Sequence, residues 1–239
     1  QLSNKLTLEA KVNTKRRTSI RLNHSATHLL HAALKEVLGS HVQQKGSLVT
    51  DTKARFDFSH FQPLSIDELH SIETLVNQQI RHNHQIITKE MDYDQAKASG
   101  AMALFGEKYA DKVRVLSMGQ FSKELCGGTH AKRTGDIGLC KITNETGIAS
   151  GVRRVEFITA EFANQYILQQ ESLILSLSEK LHTAPLALAD KVDSVLLQQK
   201  VLEKELEVLK TKLAQSSGNK LLDKVQTIGD FSLLLERLD

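Results

Sequence analysis

The 239-residue chain contains only two cysteines, Cys126 and Cys140, too few and too far apart for a disulfide framework. That excludes the small disulfide-stapled class and suits a reducing, cytoplasmic setting. No long uncharged apolar run occurs, so no helical membrane span is expected. The start, Gln1-Leu2-Ser3-Asn4, has neither an initiator Met nor a charged-then-apolar signal, and the chain reads as a fragment. Walker and GxGxxG sequences are missing, which argues against a nucleotide-binding domain. No GxSxG elbow or Ser-His-Asp order appears, which argues against a covalent serine mechanism. The net charge is only +3, so charge alone does not announce a nucleic-acid partner. What is present suits a soluble protein: 40% hydrophobic residues suffice for a core, alongside 25% charged ones.

Two short motifs stand out. His24-x3-His28 lies near the start, and Cys126-x3-His130 about a hundred residues later. Residues four apart on a helix are neighbours. Arg21 to Gly39 reads as such a helix, because Leu22, Ala26, Leu29, Leu30, Ala33, Val37 and Leu38 recur at helical spacing and Gly39 follows as a stop. His24, His28, His31 and Lys35 share the side opposite that stripe, a pattern that by itself reads as a solvated polar face. In Cys126-Gly127-Gly128-Thr129-His130, two glycines let the backbone turn sharply and approach a ligand closely. By itself that segment reads as a turn with a small buried thiol. Taken together, the two pairs supply the imidazoles and thiolate that a zinc ion takes in tetrahedral arrangement. Four protein ligands would make a structural site, and three plus water or substrate a catalytic one. Cys140 alternates with its neighbours in 137–142 and reads as a strand residue.

The middle of the chain reads as α+β, a mixed sheet with packed helices. Strands are expected over 43–50 and 54–59, joined by a turn at Asp51-Thr52-Lys53. An amphipathic helix is expected over 65–82, with Ile66, Leu69, Ile72, Leu75, Val76 and Ile80 inward and a capping box from Ser65 to Glu68. Further strands are expected over 85–91, 112–118, 136–143 and 151–159, with a short helix at 94–99. The irregular interleaving favours α+β over a doubly wound parallel sheet.

After residue 160 the chain becomes Leu-rich and helical. Thr183-Ala184-Pro185 interrupts it. Leu188, Val192, Val195, Gln199, Leu202, Leu206, Leu209 and Leu213 then follow the four-three alternation of a coiled-coil seam or of a helix packed on its own domain. Ser216-Ser217-Gly218-Asn219 is expected to end that helix. Basic clusters at Lys15-Arg16-Arg17 with Arg21, Lys132-Arg133 and Arg153-Arg154 suit RNA phosphates, as they suit ordinary surface.

The blocks HSATHLLHAAL, QKGSLV, ALFGEKY, ELCGGTHAKRTGDIG and SGVRRVEFIT, in this order, resemble the editing domain of bacterial alanyl-tRNA synthetase. Free-standing alanyl-tRNA editing proteins share the zinc motif. The resemblance covers residues 14 to 160. The threonyl-tRNA synthetase editing domain also pairs HxxxH with CxxxH, but CGGTH favours the alanyl type over a loop closer to CRGPH. The resemblance implies hydrolysis of serine or glycine wrongly attached to tRNA(Ala). It implies Zn2+ on His24, His28, Cys126 and His130, and pocket residues at Thr27, Gln44 and Ser47. Arg153 would support the site or meet phosphate. Residues 1–160 would form the editing domain, 161–217 a coiled-coil-like extension and 218–239 the truncated start of a C-terminal domain. That C-terminal region implies tRNA binding and a homo-oligomer through its helices. A last strand of an upstream β-rich domain is expected at 6–12, and the aminoacylation module is absent. The alternatives are a tRNA-binding module with purely structural zinc, and a threonyl-type editing domain.

Overall fold

The computed structural model describes residues 9–103, 109–222 and 225–234, which divide into two compact units, 1–169 and 170–239. The ALFGEKY block falls largely on residues 104–108, outside the described ones. So do the first three residues of the expected strand at 6–12, and residues 9–12 form no regular element.

The first unit is built on α1 (Thr14–Leu38), which begins seven residues before the expected start. The Asn13 side chain caps it by accepting the Arg16 amide, a signal outside the apolar periodicity. Gly39 stops the helix at φ 110, a conformation that favours glycine. Every residue from Ser25 to Leu34 is buried, so this part of α1 is enclosed on all sides. The polar side with His28 and His31 is therefore not solvated, because β5 (Ser122–Leu125) packs against it.

A four-stranded sheet covers the apolar side, in the order β1 (Gln44–Val49), β2 (Ala54–Ser59), β7 (Val152–Thr159), β6 (Cys140–Ala149). Phe56, Phe58 and Phe157 from its central strands meet Leu29, Leu30 and Leu34 of α1 and Ile72 and Val76 of α2 (Ile66–Arg81) in one core. The capping box of α2 is present: Ser65 Oγ accepts the Glu68 amide and Glu68 accepts the Ser65 amide. Asn77 ties α2 to β6, donating to the Cys140 carbonyl at 2.8 Å and accepting its amide at 2.9 Å. Cys140 is buried there as a strand residue, and burial pushes its thiol pKa up.

A second sheet joins β3 (Ile86–Asp92), β4 (Lys112–Met118) and β5, with α3 (Tyr93–Ala98) following β3. Among the described residues the named strands of both sheets pair antiparallel, with one isolated parallel bridge from Met102 to Glu124, so neither is the mixed sheet expected. The expected strand at 136–143 is also revised. Thr134–Ile137 forms a 3-10 turn instead, because Asp136 accepts the Lys132 and Arg133 amides, and the strand starts at Cys140.

After β7 comes α4 (Ala160–Lys180), and in the second unit Pro185 opens a 3-10 turn and α5 (Leu188–Leu222) follows. Contrary to expectation, α5 runs through Ser216-Ser217-Gly218-Asn219. One interior glycine costs a helix only about 1 kcal/mol relative to alanine, too little to end it. The seam residues Val192, Val195, Leu202, Leu206, Leu209 and Leu213 are exposed. A hairpin of β8 (Gln226–Ile228) and β9 (Phe231–Leu233) follows. Among the described residues no helix is long and apolar enough to cross a membrane.

Candidate metal centre

The helix α1 sets His24 and His28 one turn apart, and β5 ends one residue before Cys126. The loop after Cys126 brings back His130. One donor atom from each of the four residues lies within 4.8 Å of all the others. Cys126 Sγ is 3.3 Å from His130 Nε2 and 3.5 Å from His24 Nε2. The S···N edge of a zinc tetrahedron, with Zn–S about 2.3 Å and Zn–N about 2.0–2.1 Å, is about 3.5 Å. His28 uses Nδ1 on Glu124 at 2.6 Å, and its Nε2 is buried without a hydrogen-bond partner. A buried orphan nitrogen is costly unless something binds it. Three imidazoles, one thiolate and that orphan atom fit a zinc ion.

The glycines in the loop are not equivalent. A Cβ on Gly128 would collide with the His24 ring, whereas a Cβ on Gly127 would meet nothing within 4 Å. Two arginines hold the loop by its carbonyls. Arg21 Nε donates to His130 O at 2.5 Å, and Arg114 Nη2 donates to Gly128 O. Ser25 Oγ pairs with His130 Nδ1 at 3.3 Å and accepts the Ala131 amide at 3.0 Å.

Electrostatics favour a charged cluster. Burial raises the Cys126 thiol pKa, but hydrogen bonds from His130 and His24, with the His28 imidazole close by, more than reverse this, to about 3. Burial likewise opposes ionisation of Glu124, yet hydrogen bonds from His28 and His31 hold it at about 2. Burial depresses His28, and its hydrogen bond to Glu124 together with the nearby Cys126 sulfur outweighs this and lifts it to about 10. His130 is lowered, chiefly by burial. The His28 imidazole thus stands between a thiol and a carboxyl group whose ionised forms are both favoured, a setting that attracts a cation.

The expected pocket residues are placed less uniformly. Thr27 is buried beside the ligand face, and its hydroxyl donates to Asn23 O at 2.9 Å within α1. Gln44 lines a cavity of about 320 Å³ with His31, Lys35, Val42 and Met102. Its amide donates to Ser47 Oγ at 3.2 Å, and Ser47 is itself exposed. Arg153 is not grouped with the four converging residues. Its guanidinium forms a two-pronged pair with Glu145 on β6 at 2.5 and 2.6 Å, which raises its pKa.

Sequence reasoning missed Glu124, Ser25 and the clamping roles of Arg21 and Arg114. Glu124 had a readable signal. It lies two residues before Cys126, and alternate residues of a strand share a face.

Residues 113–156, which include Cys126 and His130, match the family described as "Threonyl and Alanyl tRNA synthetase second additional domain". The whole chain is 53% identical to part of the alanine–tRNA ligase of Legionella pneumophila strain Lens and spans 28% of that protein's length. It is 50% identical to the alanine–tRNA ligase of Idiomarina loihiensis over 97% of the chain and 27% of that relative. For the alanine–tRNA ligase of Hydrogenovibrio crunogenus the identity is 51%, over 98% of the chain and 27% of the relative.

Proposed function

We propose that this chain, similar over its whole length to a segment of bacterial alanine–tRNA ligases, is an aminoacyl-tRNA deacylase that clears serine and glycine from mischarged tRNA(Ala). The residues that would hold Zn2+ are His24, His28, Cys126 and His130. The observation that carries this reading is their convergence, with the Nε2 of His28 left unpartnered. When bound, the zinc ion supplies Lewis-acid polarisation in a water-poor site at neutral pH.

The protein side chains supply position and selectivity. The Gln44 amide, at the wall of the cavity beside His31, offers both a donor and an acceptor to a seryl hydroxyl. An alanyl ester leaves such a group unpaired, which is how a pocket rejects a substrate lacking a hydroxyl. Ser47 holds the Gln44 amide, and Thr27 shapes the α1 surface beside the ligands. Arg153, held by Glu145, supports the β6–β7 pair or turns to a phosphate. Lys15 and Arg17 at the start of α1 are exposed and suit the RNA backbone. The uncovered stripe of α5 suits pairing with a second copy. A cytoplasmic location follows from this role in protein synthesis.

The test is hydrolysis of Ser-tRNA(Ala) against Ala-tRNA(Ala) by the purified chain, with zinc measured on the same sample. Selective loss of the seryl ester with about one zinc per chain supports the reading, since a tetrahedral site holds one ion. Faster clearance of serine from tRNA(Thr) would instead favour a threonyl-type editor.

A second reading rests on the ligand count. Four converging protein donors can close a zinc site, and closed sites are structural. The chain would then bind tRNA without hydrolysing it. Cys126→Ala separates the two: loss of the circular dichroism signal marks a structural metal, and a folded but inactive protein marks a catalytic one.

A further inference from the structure

Glu124 is 3% exposed and lies between two helix residues one turn apart. Its Oε2 is 2.6 Å from His28 Nδ1, and its Oε1 is 2.9 Å from His31 Nδ1. An ionised carboxylate has only acceptors, so each imidazole must present a proton on Nδ1. In a neutral ring the lone pair then lies on Nε2. Both Nε2 atoms are buried without a hydrogen-bond partner. For His28 this leaves Nε2 as the nitrogen free for the group of four donors.

The geometry points to Glu124 as the positioning residue of the metal centre: by accepting from His28 Nδ1 it fixes the tautomer and ring orientation that aim His28 Nε2 at the ion. This rests on the metal reading proposed above. His31 is the counterweight. It occupies the second carboxylate oxygen, so the carboxylate cannot swing away from His28. Glu124 also stands two residues before Cys126 on β5. One short strand therefore leads into the thiolate and orients an imidazole of α1, which keeps helix and loop in register. Metal-bound histidines commonly need such an acceptor on the far nitrogen, and its loss typically weakens binding about 10–100-fold.

The test compares zinc affinity, by chelator competition, in the wild type, Glu124→Ala and Glu124→Gln. The alanine variant is expected to bind about 10–100-fold more weakly. The glutamine variant should lie between, because its amide oxygen can accept from His28 in only one of two orientations. The Co2+-loaded variants should show shifted visible absorption, which a fold defect alone would not produce. In the zinc-loaded wild type, long-range 1H–15N correlations should place the His28 and His31 protons on Nδ1. This readout does not depend on any variant folding. A proton on His28 Nε2, or wild-type affinity in folded Glu124→Ala or in Glu124→Gln, would overturn the role of Glu124 and leave the metal reading intact. Failure of the wild type to bind zinc would instead overturn the metal reading and this inference with it.

Discussion

A side chain on Gly128 would occupy the space of the His24 imidazole. Close packing of the loop on α1 is thus what brings His24 to Cys126. Gly128→Ala is expected to displace His24 and lower zinc affinity at least tenfold, with the fold retained. Gly127→Ala should bind zinc as the wild type does, since a Cβ there meets nothing within 4 Å. Chelator competition on the two variants checks the contrast. Equal affinities would mean that the loop adjusts freely.

The two cysteines should differ sharply towards iodoacetamide. Cys126 is half-buried with its thiol pKa lowered by the imidazoles around it, whereas Cys140 is fully buried with its thiol pKa raised. Thiolate, not thiol, is the nucleophile. Mass spectrometry of metal-stripped native protein should find Cys126 alkylated and Cys140 untouched. Zinc should protect Cys126, and denaturation should expose both. Labelling of Cys126 at the same rate with zinc present would argue against its being a ligand.

Asn77 fastens α2 to β6. Its side chain satisfies both the amide and the carbonyl of buried Cys140. Asn77→Ala is expected to lower stability by about 2–3 kcal/mol, since two buried backbone groups lose their partner. Urea unfolding should show a lower midpoint with the slope unchanged. Zinc affinity, read on the same variant at low urea, should stay near the wild-type value.

The basic start of α1 offers a test of the RNA reading. Arg16 pairs with Asp51 at 3.3 Å, so Lys15 and Arg17 are the better probes. Lys15→Ala with Arg17→Ala should weaken tRNA binding and reduce the salt slope by about 1 for each phosphate that is no longer neutralised. Deacylation should show a raised KM with kcat unchanged. An unchanged salt dependence would place the RNA on another face.

Local pattern made much of the molecule legible in advance. The Ser65–Glu68 capping box, the α2 stripe and the strands at 54–59 and 112–118 follow from periodicities and caps that act within one element. The two His/Cys pairs that converge were legible for the same reason: each lies within one helix turn or one tight loop. Signals fail where two local rules compete. Asp136 draws the Lys132 and Arg133 amides into a turn where alternation suggested a strand, and α5 runs through a glycine that suggested a stop.

By itself, the sequence determined the four candidate donors, the helix that carries half of them and the glycine-bearing loop that carries the rest. Only the tertiary structure decided that the polar side of α1 is buried, because β5 meets it with a carboxylate that two histidines can share. His28 and Glu124 are 96 residues apart in the chain. No periodicity reaches that far. The contact exists because the core packs α1 between the four-stranded sheet and β5, and a buried carboxylate is stable there only with donors on both oxygens.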